Sequence, residues 1–213
     1  MPASSPPPSP PPSPPPSTTG HAILGLLGLR SWTTYELAKQ VQRSLRWFWP
    51  RAERKLYDEP KRLVSAGLAH ASQESTGKRP RTVYSTTDAG RAALRDWLDE
   101  PPAPRTTEFE AMVKVFFADA GTLDQLRTTL ERIATEAEER LAEVTELAEI
   151  WLAEPAFPER AHLGAIGLAL VKGQEEAVLQ WATWARGQVD EWAATDDPGH
   201  WDPDVVFRRL ARG

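Results

Sequence analysis

Between residues 123 and 151 the sequence places an apolar side chain every three or four residues: Leu123, Leu126, Leu130, Ile133, Ala137, Leu141, Val144, Leu147 and Trp151. Residues three and four apart share one face of a helix, so the spacing predicts a long amphipathic helix with a heptad-like stripe. The stripe runs for about 29 residues, roughly 43 Å of helix. No helix of that length buries such a stripe by itself, so a partner helix is required. Thr122 and Gln125 form a capping box at its start, and Pro155 and Pro158 end it. Arg140 is the one interruption. A second long helix, over about residues 159–193, carries Leu163, Ile166, Leu170, Ala177, Trp181, Trp184 and Trp192 along one side. The two stripes can close on each other antiparallel within one chain, on a second chain, or both.

The other constraint is a break. Pro101-Pro102-Ala103-Pro104 is a stretch no helix crosses. It divides the 213 residues into parts of opposite charge. Residues 20–105 carry 15 Lys+Arg and 9 Asp+Glu, a net of +6, whereas residues 106–213 carry 10 and 21, a net of -11. Together they give the -5 of the whole chain, because residues 1–19 carry no charged side chain. That first stretch holds ten of the 20 prolines, with Ser4, Ser5, Ser9, Ser13 and Ser17 among them. It reads as an extended polyproline tail, either a docking peptide or dispensable. The expected organisation is a tail (1–19), a basic domain (20–100), a linker (101–106), an acidic helical domain (107–195) and a C-terminal tail (196–213).

The basic domain begins with a short helix around Ala22-Ile23-Leu24-Gly25-Leu26-Leu27, apolar on all sides and so buried. Thr33 and Glu36 make a capping box for a second helix over residues 35–45, whose Leu37, Val41 and Leu45 lie on one face. A third runs from about Pro50, with Ala52, Leu56 and Leu63 on its inner side. Opposite them fall Arg51, Arg54, Lys55, Asp58, Lys61, Arg62 and Ser65. Gly67 stops this helix. Two extended runs, residues 68–73 and 81–85, then flank the seven-residue connection Glu74-Ser75-Thr76-Gly77-Lys78-Arg79-Pro80, which predicts a hairpin with a basic tip. Thr87 and Asp88 cap a further helix containing Ala92, Leu94, Trp97 and Leu98. Three helices, a hairpin and a helix are the order of a winged helix-turn-helix. In that arrangement the third helix enters the DNA major groove and the hairpin tip reaches the neighbouring backbone.

Several spaced motifs in this stretch resemble the PadR family of bacterial transcriptional regulators. They are Leu24-Gly25-Leu26-Leu27, Thr34-Tyr35-Glu36-Leu37, Trp49-Pro50, Leu56-Tyr57, Arg62-Leu63, Ala66-Gly67-Leu68, the wing from Gly77 through Tyr84, and Thr87-Asp88-Ala89-Gly90-Arg91. The resemblance implies a dimer that binds palindromic promoter DNA, mostly as a repressor. It implies DNA contacts from Tyr35, Arg51, Arg54, Lys55, Tyr57, Lys61, Lys78, Arg79 and Arg81. The sequence departs from the family at Asp58-Glu59-Pro60, where relatives often carry proline directly after the tyrosine. Pro60 removes a helical hydrogen bond and should kink or restart the third helix. Asp58 and Glu59 also set two carboxylates beside the expected DNA face, where they would repel phosphate.

The acidic half resembles the longer C-terminal domain of PadR relatives of the virulence-activator type, which implies dimerisation through it. The residues expected at that contact are Leu123, Leu126, Leu130, Ile133, Leu141, Val144, Leu147, Trp151, Leu170, Trp181 and Trp184. Of the nine tryptophans, Trp97, Trp181 and Trp184 either pack cores and interfaces or line a pocket for a planar aromatic effector, as in phenolic-acid-sensing relatives.

Enzyme readings find no support. The four histidines, His21, His70, His162 and His200, are scattered, with no metal-ligand spacing. There is no cysteine, no phosphate loop and no nucleophile elbow. No metal or cofactor is therefore expected. The apolar run at residues 22–29 is far short of the roughly 20 residues of a membrane span, and no secretory signal is evident. The expected setting is the bacterial cytoplasm, on the nucleoid. The competing reading is a helical scaffold whose winged helix docks a protein. If the third helix meets DNA, Arg54→Ala or Lys55→Ala will weaken promoter binding and lower its salt slope by about one phosphate contact, measurable by fluorescence anisotropy across a salt series.

Overall fold

The computed structural model describes residues 14–49, 56–76 and 79–212, and for residues 75, 76, 79 and 80 the backbone alone. The chain forms two compact units, one ending at Pro104 and the other beginning at Arg105.

In the first unit, helix α1 (Thr18–Leu29) starts earlier than its sequence suggests. Ser17 caps it by accepting from the Gly20 amide at 3.1 Å, so Thr18 and Thr19 belong to the helix and not to the proline-rich tail. A two-residue strand β1 (Trp32–Thr33) follows, too short to leave any periodic trace. The Trp32 indole N–H donates to the Leu26 carbonyl at 2.7 Å, pinning this strand to α1. Helix α2 (Thr34–Ser44) opens with the expected capping box. The Thr33 amide donates to Glu36 at 2.8 Å and the Glu36 amide to the Thr33 hydroxyl at 3.2 Å. The Thr33 amide, and after it the Thr33 hydroxyl donating at 2.8 Å, hold the Glu36 carboxyl below its ordinary range.

A helix begins at Glu59-Pro60, while the stretch of the expected third helix from Pro50 to Lys55 lies outside the described residues. Residues 56–58 form a turn, and α3 (Glu59–Ser65) begins with Pro60 in its first turn, where a missing N–H costs nothing. It ends in a Schellman turn: Gly67 has φ 74°, Leu68 N–H bonds Leu63 at 2.9 Å and Gly67 N–H bonds Val64 at 3.0 Å. Strands β2 (Ala69–Thr76) and β3 (Arg79–Thr86) form the hairpin, and β1 pairs with β3 on its other side. The ladder runs from Ala69↔Thr86 to Thr76↔Arg79, leaving only Gly77-Lys78 between the strands. The expected seven-residue connection was too long because its flanks are polar throughout and show no alternation. Cross-strand pairs hold them instead, Gln73 to Thr82 at 2.9 Å and Arg81 to Glu74 at 3.1 Å. Helix α4 (Asp88–Leu98) then packs back on α1, capped by Thr87. Ile23, Leu24, Leu37, Val41, Leu56 and Leu63 form the buried core.

The second unit is a helical hairpin. Helix α5 (Glu110–Phe116) and a short 3-10 turn (Ala118–Ala120) lead to the second capping box, where Thr122 and Gln125 bond reciprocally at 2.9 and 3.2 Å. Helix α6 (Leu123–Ala153) and helix α7 (Ala161–Val189) run antiparallel, with Arg127 meeting Asp190 at one end and Trp151 over Gly164 at the other. Leu126, Leu130, Ile133, Ala137 and Val144 are buried against α7. Arg140, the break in the stripe, donates to Glu175 at 2.6 Å. Helix α8 (Pro203–Ala211) closes the chain.

Two expectations are corrected here. Leu126, Leu130, Ile133 and Val144 are expected at a subunit contact, but the chain's own packing covers them to 5% exposure or less. Leu123, Leu141, Leu147 and Trp151 are half-buried in the same hairpin. The inner side of α7 differs in part from the expected stripe. It consists of Val171, Ala182 and Val189, with Gly164, Leu168, Val178 and Ala185 half-buried beside them, and of the expected residues Trp181 packs against this core. Leu163, Ile166 and Leu170 stand exposed, and Trp184 is 40% exposed. Small residues let α7 approach α6 closely, so the bulkier stripe is the outer one.

His21 of α1 is buried with its ring stacked on Trp97 of α4 at 4.7 Å and 4°. Burial pulls its pKa below the ordinary 6.5, opposed by the Glu100 carboxylate and the Ser17 backbone. The unfolded chain therefore takes up this proton first as pH falls, and the fold loses stability below about pH 6.5. In urea unfolding from pH 8 to 5, the stability of the native chain relative to His21→Gln should decline with falling pH. A pH-independent difference would refute this.

Candidate nucleic-acid interface

The outer face of α2 is built by its period. Tyr35, Lys39 and Arg43 fall at i, i+4 and i+8, opposite the buried Leu37 and Val41. Tyr35 is 76% exposed, and Lys39 and Arg43 project beside it. The Arg46 guanidinium lies 4.4 Å from the centre of the Trp47 ring. Lys39 and Arg43 were missed by the sequence reading, although their four-residue spacing from Tyr35 was visible there.

On α3 and the turn before it, Tyr57, Lys61 and Ser65 repeat the same spacing, and Tyr57 is 64% exposed. Arg62 projects beside them. On the wing, Arg81 is exposed but already paired with Glu74. Arg51, Arg54, Lys55 and Lys78 lie outside the described residues, as does the Arg79 side chain. The structure thus leaves Tyr57, in the turn, and Lys61, on α3, both exposed across the start of that helix, and places Tyr35 on α2.

One of the two supposed repelling carboxylates faces inward. Glu59 is 4% exposed, accepts from the Ser17 hydroxyl at 2.6 Å and lies 3.5 Å from Arg62. Its space is the one a side chain at Gly20 would fill, since a Cβ there would sit 2.8 Å from Glu59 Oε1. Trp49 closes this cluster by donating to the Thr19 hydroxyl at 3.0 Å. Only Asp58 stays exposed beside Tyr57 and Lys61. No sequence signal pointed to Glu59, because its partners are 42 and 39 residues away.

Trp97 stacks on His21 in the first unit, while Trp181 packs against the core of the second and Trp184 is partly exposed on α7. Neither unit holds all three. Among the described residues, no three His, Asp or Glu groups cluster to hold a metal, and no helix is long and apolar enough to cross a membrane.

Residues 23–96 match the PadR-like family of transcriptional regulators, and residues 109–190 match the virulence activator alpha C-terminal domain. The chain joins a PadR-like domain to a virulence-activator-type C-terminal domain. The negative transcriptional regulator PadR of Bacillus subtilis is 32% identical over 99 residues, 46% of this chain and 54% of that protein. The chain thus spans about half the length of this relative. The crystal structure of B. subtilis PadR with operator DNA superposes with a TM-score of 0.70 at 23% identity, covering 81% of this chain and 99% of that one. The same protein is also solved with p-coumaric acid, at a TM-score of 0.65 and 22% identity, covering 81% of this chain and 98% of that one. The Vibrio cholerae virulence activator AphA gives 0.63 at 26% identity, covering 81% and 98%. The PadR-like fold therefore extends through both units.

Because the Gly20 position has no room for a Cβ, Gly20→Ala should displace the Glu59 carboxylate and weaken DNA binding, while Gly25→Ala, in open space on the same helix, should leave it unchanged. Anisotropy titrations of the two variants against one duplex check this.

Proposed function

We propose that this PadR-like chain is a dimeric transcriptional repressor that reads a palindromic operator. The observation that carries the reading is the pair of exposed faces in the first unit, Tyr35-Lys39-Arg43 on α2 and Tyr57-Lys61 across the start of α3. Each offers a tyrosine hydroxyl and at least one cation at one-turn spacing, suited to consecutive phosphates and base edges. Arg51, Arg54, Lys55, Lys78, Arg79 and Arg81 are assigned to the same contact from their sequence positions. The operator-bound PadR relative supports this assignment by its fold.

Dimerisation is assigned to the outer stripe of α7, Leu163, Ile166, Leu170 and Trp184, whose apolar area one chain leaves in water. A two-fold axis through that contact matches the symmetry of a palindromic site. A small planar aromatic acid is assigned as the effector, by analogy with the p-coumaric acid complex of PadR. Trp97 and Trp181, both half-buried, and Trp184, 40% exposed, retain the surface to report it. The work of such a protein is on chromosomal DNA in the cytoplasm.

The reading is tested with DNA from upstream of the chain's own gene. A footprint with two related half-sites is expected, together with affinity that falls steeply with salt. Lys39→Ala and Arg43→Ala should each lower the salt slope by about one and weaken all sequences alike. Sedimentation should show a dimer at micromolar concentration, with Leu170→Glu shifting it to monomer. DNA binding no tighter than to a random duplex would overturn the regulator reading, and a monomer at that concentration would overturn the dimer.

A further inference from the structure

Helix α8 lies beyond residues 109–190, the part matched by the C-terminal domain. It is well formed: Asp202 caps it by accepting from the Asp204 amide at 2.9 Å, Pro203 starts it, and Arg208 pairs with Asp202 at 3.1 Å. Its base is anchored to its own unit. Trp201 donates to Gln188 at 2.8 Å, and its ring lies 5.5 Å from that of Trp192. Yet the helix covers almost nothing. Phe207 is 64% and Leu210 72% exposed, and these two, with half-buried Val206, share one face.

The same unit holds a complementary vacancy. At the corner where α5 turns into α6, an open groove of about 700 Å³ is lined by Val113, Phe117, Ala118, Gly121, Leu126 and Thr129. Val113, Phe116 and Phe117 at this corner are all more than half exposed. Asp119 stands at the groove's edge, and of the charged lining residues Lys114 is paired with Glu110 at 3.1 Å and Asp124 with Arg127 at 3.4 Å, so the excess charge of the rim is acidic. Charge matches as well as apolarity. Residues 106–202 carry 20 Asp+Glu and 7 Lys+Arg, a net of -13, whereas residues 203–213 carry three Arg and one Asp, a net of +2. Arg209 and Arg212 have no ion pair among the described residues.

We propose that α8 is an exchanged arm: its Val206-Phe207-Leu210 face docks into the α5–α6 groove of a second copy of the chain, with Arg209 and Arg212 meeting the acidic rim. The occupant is another copy because the Trp201 anchor holds α8 where its own groove stays open. This inference rests on the dimer reading and extends it, adding to the α7 contact a pair of arms that reach around each subunit.

The absence of cysteine makes the test clean. Full-length chains carrying Phe117→Cys are mixed with tagged chains carrying Leu210→Cys, allowed to exchange, and treated with a short bismaleimide. Both positions are well exposed, so neither change should unfold the protein. The expected product is a cross-linked dimer of one tagged and one untagged chain. In parallel, Phe207→Glu with Leu210→Glu should weaken dimerisation by about tenfold or more in sedimentation, with an unchanged thermal melt. A dimer that gives no cross-link between chains, or cross-links only within a doubly substituted chain, overturns the arm and leaves the α7 dimer standing. An unchanged dimer dissociation constant in the doubly charged variant overturns it too. A chain that never dimerises fails the dimer reading itself.

Discussion

The arrangement of the first unit depends on two backbone carbonyls, those of Gly67 and Leu68. Gly67 leaves α3 in the left-handed conformation, so both carbonyls point at the start of α4. The Thr87 hydroxyl donates to Gly67 at 2.9 Å and the Thr87 amide to Leu68 at 3.1 Å. Gly90 supplies the clearance, since a Cβ there would stand 2.1 Å from the Leu68 oxygen. One corner thus ties the end of α3, the first strand of the wing and the cap of α4. The direction of Tyr57 and Lys61 relative to the hairpin follows from it, and no larger side chain fits at position 90.

Local chemistry was legible in the sequence, and distant chemistry was not. The boxes at Thr33/Glu36 and Thr122/Gln125 are contained in four residues each, so their spacing alone revealed them. Gly67 as a helix stop and Pro60 as a first-turn residue are equally local. Glu59 is the opposite case. Its meaning comes from Ser17 and Gly20, and as a bare carboxylate it reads as a charge beside DNA. The inner face of α7 was hidden for another reason. Two stripes coexist on that helix, and the one of larger side chains draws attention, while close packing selects the smaller. Lys39 and Arg43 were within reach of the four-residue rule and were overlooked because the third helix held the denser charge.

The opposed charges of the two units have a physical use. A polyanion is drawn to the +6 portion and repelled by the -11 portion, so encounter is steered to one unit before any specific contact forms. The chain's mild average of -5 conceals this. With Glu59 turned inward, the local surface around Tyr57 is more positive than its composition implies.

Long heptad stripes carry a hazard of their own, since two smooth stripes can slide by seven residues, about 10 Å, and still bury apolar surface. The α6–α7 hairpin has two stops against this. Displaced by one heptad, Arg140 would leave Glu175 for Leu168 or Ala182, and the Trp151 ring would lose the bare backbone of Gly164 that receives it. The interruption of the stripe is thus what makes its alignment single-valued. A newly made chain can set this hairpin alone, from contacts nearby in sequence.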